Sequence, residues 1–459
     1  MYLRIGFIVF SLFFSALLCG AQTTISGSLK GGDERLVSLY LMDDFVTESL
    51  VLIDESEVDE QGDFSLRASF DEVRYAVLKV GYYSSGIYLE PGKHYQLECE
   101  YKPLKEGANP NLMDTPLFYV IRNEVFDGLN GQISAFNERY DDFIVAHQRT
   151  LFRSRSKGVI EEFRREVDRQ FAGYENAYFE DYVAYRFAAL ALQTRTVSRE
   201  KLARRYLTGR PPYHHDEAMS FFTLFFDKYV QTQSKAIDRR DLQATINYQV
   251  SYSALLDTLG KDTILKNEAM RELVMLLTLK SLLGSNDYGV DQLLHLIRHI
   301  KDHSKFREHQ KIAAHILDRS MMLLPGTMAP SLVVDGENVL LSEDQRSTLL
   351  CFFQTHSGVC QAESVLLEDI CRDFEEDVRV VMVCTDAEEQ AWNDWNQTHA
   401  DACWETVWVG NNYTLLEDYR VKAYPLYVLV NADLTLRRWD LSRPSEGLAH
   451  QLERLLSKK

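Results

Sequence analysis

Nowhere in this chain do two cysteines stand three residues apart, and after residue 21 no apolar run is long enough to cross a bilayer. The first absence removes the paired spacing of a zinc site. Seven cysteines are spread over 459 residues, so a dense disulfide framework of the small secreted kind is excluded as well. Positive charge is also short: Lys and Arg number 50 against 68 Asp and Glu, a formal charge of −18. Binding to phosphate backbones needs clustered Lys and Arg, so nucleic acid is not an expected partner. The acidic residues are dispersed, as on a solvated surface. No fixed period of the helical-array kind runs through the chain.

What is present begins with an export signature. Arg4 precedes an apolar run, Ile5 to Leu18, and Cys19-Gly20-Ala21 offers small residues before Gln22. Residues 1–21 therefore read as a cleavable secretory signal peptide, and the periplasm of the cell envelope is the expected location. Cys19 leaves an alternative, a lipoprotein anchor, although Leu18 is bulky where such signals carry a small residue. The chain is 46% hydrophobic, enough for real cores, and its length suits several domains. The expected fold class is multidomain α+β: a small β-sandwich over 22–105, a helical region over 106–325 and an α/β domain over 326–459.

In the first part, strands are expected near 25–29, 36–42, 64–68, 75–80 and 95–101, separated by Lys30-Gly31-Gly32-Asp33, Glu60-Gln61-Gly62-Asp63 and Glu90-Pro91-Gly92-Lys93. Short strands of this kind suit an antiparallel sandwich or barrel. Alternation puts Cys99 on the apolar face beside Leu97, a core thiol. Tyr82, Tyr83 and Tyr88 read either as a contact surface or as half-buried sheet packing.

In the middle, helical periodicity runs from Leu117 to Gln148 and recurs near 159–174, 178–193, 216–231, 244–259, 266–283, 290–302 and 306–323. Arg210-Pro211-Pro212 and Gly284-Ser285-Asn286-Asp287 mark breaks. His295, His299 and His303 share one helical face at the spacing of metal ligands. No Glu follows His295 to complete His-Glu-x-x-His, and Leu293, Leu296, Ile297 and Ile300 account for the buried side. The row reads as a solvated face, and no metal or cofactor is expected. His214-His215 reads as a loop feature.

The stretch Leu349 to Glu363, LLCFFQTHSGVCQAE, carries the chemistry. A continuous apolar run of strand length breaks at Thr355-His356-Ser357-Gly358 and resumes as a helix with Ala362, Val365, Leu366 and Ile370 in period. A strand that turns straight into a helix presents the first helical turn to solvent, where the macrodipole favours negative charge. Gly326-Thr327-Met328-Ala329-Pro330, Ala362-Glu363, Val380 to Asp386, Tyr419-Arg420-Val421 and Tyr424-Pro425-Leu426 extend the pattern. With these motifs, residues 326–459 resemble the thioredoxin-like domain of the TlpA-type disulfide reductase and AhpC/TSA group. Val58 to Phe64 and Leu89 to Lys93 resemble an uncharacterised β-domain that precedes such domains in Gram-negative envelope proteins.

The resemblance implies a Cys-x-x-Cys turn at Ser357-Gly358-Val359-Cys360 and a cis-proline substrate groove at Tyr424 and Pro425. Here the frame is kept and the first cysteine is not: Ser357 stands in place of the attacking thiol, and Val359 stands where proline is usual. An alcohol stays protonated at neutral pH and cannot enter thiol–disulfide exchange. Cys360 remains, either as a redox thiol or as a small apolar filler. His356 beside Ser357 suggests a Ser–His hydrolase, but neighbours on a turn rarely point together, and no orienting carboxylate is identifiable. Cys371 is about three turns beyond Cys360, out of disulfide reach; Cys384 ends a neighbouring strand and is a possible partner; Cys403 falls in a loop without a clear position. Two functions follow. One is a thiol–disulfide oxidoreductase of cell redox homeostasis with a degenerate site and weak or absent two-cysteine activity, acting on protein thiols or disulfides of the envelope. The other is a non-catalytic module that binds through the groove beside Pro425. Whether the protein is an enzyme turns on that choice.

Overall fold

The structure is a computed structural model and describes residues 21–457, apart from 32–35, 82, 103–114, 125–126, 284, 286, 322, 335, 342–345 and 411. Residues 1–20 of the expected signal peptide, Cys19 among them, lie outside the described residues, as do Gly32, Asp33, Tyr82, Gly284 and Asn286.

The described residues open with eight strands: β1 (Ala21–Lys30), β2 (Leu36–Asp44), β3 (Ser49–Glu57), β4 (Asp63–Phe70), β5 (Arg74–Val80), β6 (Tyr83–Leu89), β7 (His94–Glu100) and β8 (Phe118–Ile121). They form two four-stranded sheets, ordered β4-β1-β7-β8 and β3-β2-β5-β6. The sheets share a core that includes Ile25, Leu39, Leu66, Leu78, Ile87 and Leu97. Strict alternation along β4, one residue in and one out, is what packing one sheet face requires. Cys99 is buried in this core.

Two expectations are corrected here and one open reading is decided. The sandwich is not wholly antiparallel, because β1 and β7 run parallel. The chain visits the other sheet between them and returns along the free side of β1. Next, residues 118–121 are a strand rather than the start of a helix. Their apolar residues fit a helical count, but pairing of β8 with β7 fills that sheet's open edge; the helix begins only at Leu129. Finally, Tyr83 and Tyr88 are packing residues. Tyr83 is buried, and the Tyr88 hydroxyl donates to Asp216 Oδ2 at 2.6 Å.

Among the described residues ten α-helices follow: α1 (Leu129–Phe152), α2 (Lys157–Gln170), α3 (Ala177–Thr194), α4 (Arg199–Tyr206), α5 (Asp216–Phe226), α6 (Arg239–Gln243), α7 (Tyr252–Gly260), α8 (Glu268–Leu282), α9 (Val290–His303) and α10 (Arg307–Met321). Side-chain caps start several of them, among them Asn176, Ser198, Ser251 and Asn267. Helix α4 was not expected, and two of the expected helices end or begin in short π-helical turns at Tyr229–Gln233 and Ala244–Gln249. His299 and His303 stack with ring centroids 4.6 Å apart on α9. Among the described residues no helix is long and apolar enough to cross a membrane.

The last part opens with a two-residue hairpin, β9 (Val333–Val334) and β10 (Glu337–Asn338), turned at Gly336 with φ +84°. These two strands pair locally and stay out of the main sheet. That sheet is built from β11 (Ser347–Phe353), β12 (Val378–Cys384), β13 (Glu405–Trp408), β14 (Leu426–Val430) and β15 (Leu436–Leu441), in the order β13-β12-β11-β14-β15. The first three are parallel; β14 and β15 are antiparallel to their neighbours. Helices α11 (Gly358–Asp373), α12 (Glu389–Thr398), α13 (Tyr413–Asp418) and α14 (Leu448–Leu456) connect and flank it. Every residue of β11 is buried, as a central strand covered on both faces must be. Leu349, Cys351 and Phe353 face a core shared with α11, α12 and α14, and Leu350 and Phe352 face one shared with α13.

Candidate functional site

The turn after β11 is built by its own backbone. The Ser357 amide donates to Gln354 O at 3.2 Å, and the Gln361 side chain donates back to Thr355 O at 2.8 Å. Ser357 is the N-cap of α11: its backbone is extended (φ −76°, ψ 113°) and its Oγ accepts from the Cys360 amide at 3.4 Å. The position that a Cys-x-x-Cys turn would give to a thiol therefore holds a helix cap.

Cys360 sits one turn into α11 and is 4% exposed. Burial pushes its thiol up from the ordinary value, and the negative charge of Asp386 acts in the same sense. The Gln354 backbone, the Ser357 hydroxyl and Arg443 pull the other way without cancelling the rise. Glu363, one turn on, is also buried, and its carboxylate accepts from Ser445 N at 3.0 Å and Ser445 Oγ at 2.5 Å. That contact pins the start of α11 to the loop before α14.

Asp386, just past β12, organises the turn from the neighbouring strand. Its Oδ2 accepts from the Thr355 amide at 2.9 Å and from Cys384 Sγ at 3.4 Å, and its Oδ1 lies 3.1 Å from His356 Nδ1. Trp408 Nε1 donates to its backbone carbonyl at 2.8 Å. Asp386 is 4% exposed, whereas the His356 ring is half exposed.

A carboxylate from a residue 30 positions away thus lies within ion-pair distance of His356, but Asp386 Oδ1 makes no hydrogen bond among the described residues and does not orient the ring. Asp386 ends a motif noted in the sequence, but nothing there linked it to His356. A Ser–His hydrolase pair is still not assembled, because Ser357 Oγ accepts from the Cys360 amide and makes no hydrogen bond with the His356 ring.

The other named residues fall at the same end of the sheet. The Tyr424–Pro425 bond is cis. Leu426 pairs with Phe352 across the antiparallel β11–β14 ladder, so Pro425 lies alongside Phe353, one residue before the turn begins. Pro425 is buried, and Tyr424 is half-buried against the cores on both faces of the sheet. Cys384 is not free to bridge to Cys360 without leaving Asp386, to which its thiol donates. Cys351 is buried beside Tyr427, and burial pushes its thiol upward as well. All six described cysteines are free thiols.

Solved structures match part of the chain. A thiol:disulfide interchange protein from Bacteroides sp. is 20% identical, with a TM-score of 0.25, over 30% of this chain and 93% of that one. The thioredoxin domain of a thiol-disulfide oxidoreductase from Bacteroides vulgatus is 20% identical, with a TM-score of 0.25, over 29% of this chain and 99% of that one. A thiol-disulfide oxidoreductase from Bacteroides fragilis is 18% identical, with a TM-score of 0.25, over 28% and 100%. A scan against protein-family profiles and a search of curated proteins find no match.

Proposed function

We propose that residues 326–459 form a thioredoxin-like domain of TlpA type whose degenerate Ser-Gly-Val-Cys turn has weak or absent two-cysteine redox activity. In this reading the domain follows an exported β-sandwich and helical region in the periplasm, and it engages envelope proteins through the groove beside the cis-proline at Tyr424 and Pro425. The observation that carries the reading is the state of the two turn residues. Ser357 caps the helix through its oxygen, and Cys360 is buried with its thiolate disfavoured. A thiol in that condition can resolve a mixed disulfide but does not start one.

The test is direct. Native protein is treated with a small alkylating reagent, and labelling of Cys360 is followed by peptide mapping beside an insulin-reduction assay driven by excess dithiol. Slow Cys360 labelling that becomes fast in denaturant, with turbidity no faster than the dithiol alone, is expected. Robust turnover that Cys360→Ala abolishes would replace this reading with a single-thiol oxidoreductase.

A further inference from the structure

We propose that Cys371 and Cys403 form a second dithiol site, which closes to a disulfide by exchange with an external disulfide and works independently of the turn at Ser357–Cys360. Cys371 lies near the end of α11, about 16 Å along the helix from Cys360 at ~1.5 Å per residue. It is 3% exposed. Cys403 comes from a different segment, between α12 and β13, and is exposed. The fold sets the Cys403 side chain against the turn of α11 that carries Cys371, near enough for the two thiols to act on one another. A second contact seats Cys403 independently: its Sγ lies 3.6 Å from the carbonyl oxygen of Glu368, one turn before Cys371 on the same helix. The residues on either side of Cys403 hold it there, since Ala402 and Trp404 both pack into the core that contains Cys371.

The two thiols are unequal in the way exchange requires. Burial holds Cys371 protonated, and Glu375 reinforces this. Cys403 is open to an incoming sulfur. An exposed attacking thiol backed by a shielded resolving thiol is the working order of a dithiol site. In the first step Cys403 loses its proton and its thiolate attacks one sulfur of the external disulfide. That S–S bond breaks, a Cys403 mixed disulfide forms, and the departing thiolate takes up a proton. In the second step Cys371 gives up its proton and attacks the Cys403 sulfur, which releases the second external thiol. Two protein thiols are oxidised to one disulfide, and one external disulfide is reduced to two thiols.

The experiment uses the full chain and oxidised glutathione as the external disulfide. Wild type, Cys360→Ala, Cys403→Ser and Cys371→Ala are incubated, alkylated, digested without reductant and mapped by mass spectrometry. A cross-link between the peptides of Cys371 and Cys403 is expected in wild type and, undiminished, in Cys360→Ala. It is expected to vanish in Cys403→Ser, whose exposed position leaves the fold intact. In Cys371→Ala, Cys403 is expected to retain glutathione as the trapped intermediate. The proposal is overturned if wild type keeps both thiols alkylatable, stops at glutathionylated Cys403, or joins Cys403 of one chain to Cys403 of another. Because the readout is a mapped bond and not reductase turnover, its failure is separate from any failure of the groove reading.

Discussion

Ser357→Cys tests the inactive turn by restoring the missing sulfur. The change first removes something: Ser357 Oγ accepts from the Cys360 amide at the start of α11. Losing a Ser cap costs about 1 kcal/mol. In return, a thiol is placed at the half-buried first position of the turn, at the N-terminus of a 16-residue helix. The macrodipole and the unsatisfied amides of the first turn stabilise a thiolate there, so its pKa is expected below the ordinary ~8.5. Oxidation would then close a loop of about four residues onto Cys360. The chain-entropy relation gives ~2 kcal/mol for a loop of that length. The reduced variant should therefore be ~1 kcal/mol less stable than wild type and the oxidised variant ~1 kcal/mol more stable, on the same two terms.

Two assays follow from this. Urea unfolding of wild type and variant, with and without reductant, should show the variant's midpoint move across that of wild type on oxidation. Insulin turbidity driven by excess dithiol should exceed wild type, and the gain should disappear in the double variant with Cys360→Ala. A variant that forms no intramolecular bond, or that forms one and gains no activity, would refute the view that the missing sulfur alone disables this turn.

Two further outcomes concern stability. His315 lies 2.7 Å from Asp44 and 3.5 Å from Asp43, with Lys311 nearby, where α10 meets β2. The hydrogen bond to Asp44 raises the His315 pKa above 6.5, so its stabilising contribution is full below that value and is lost as pH rises through the folded-state pKa. Although burial opposes it, hydrogen bonds from His315 and Thr47 hold the Asp44 carboxyl below 3.8, so the Asp44 contribution is lost only as pH falls through that lower value. The gap in urea midpoint between wild type and His315→Gln should narrow as pH rises from about 6; a gap independent of pH would count against the pairing. Glu272 is 1% exposed and receives bonds from Tyr252, Ser304 and His309, the last at 2.7 Å, while His309 is wholly buried. Glu272→Ala leaves those donors without their acceptor and should cost ~3–5 kcal/mol in urea unfolding; a loss under ~1 kcal/mol would mean that water replaces the carboxylate.

The α/β part was the most legible because each of its signals is local. Leu426–Val430 is a continuous apolar run, Val378–Cys384 is one interrupted only by Arg379, and both are strands. Such runs have no second periodicity to confuse them. The β part was read less completely. Ser49–Glu57 has its apolar residues adjacent, Leu50 to Ile53, and ends in Asp54-Glu55-Ser56-Glu57; as an edge strand it leaves Val51 and Leu52 exposed. An edge strand with little buried alternation gives the pattern little to show. The segment 118–121 failed for the opposite reason, since its apolar residues fit a helix and only the open edge of β7 makes them a strand. At the site, Ser357 and Cys360 were visible as a motif in one stretch of sequence. Asp386 and the Cys371–Cys403 contact were not, because each is created by packing between separate elements and leaves no spacing to read.

Burial does not separate the fates of the two buried thiols on α11. Cys360 and Cys371 are 4% and 3% exposed, and burial raises both. Neither is suited to open an exchange reaction. What decides their chemistry is the atom opposite. Across from Cys360 the fold places the Ser357 oxygen, which accepts an amide hydrogen and cannot carry a disulfide. Across from Cys371 it places the exposed sulfur of Cys403. One helix thus holds two shielded thiols, and the attacking partner proposed above serves the distal one alone. Mild oxidation should consume Cys371 and Cys403 together and leave Cys360 a thiol. Restoring sulfur at 357 should make the proximal pair behave as the distal pair does, because the helix and the burial that define a resolving thiol are already in place.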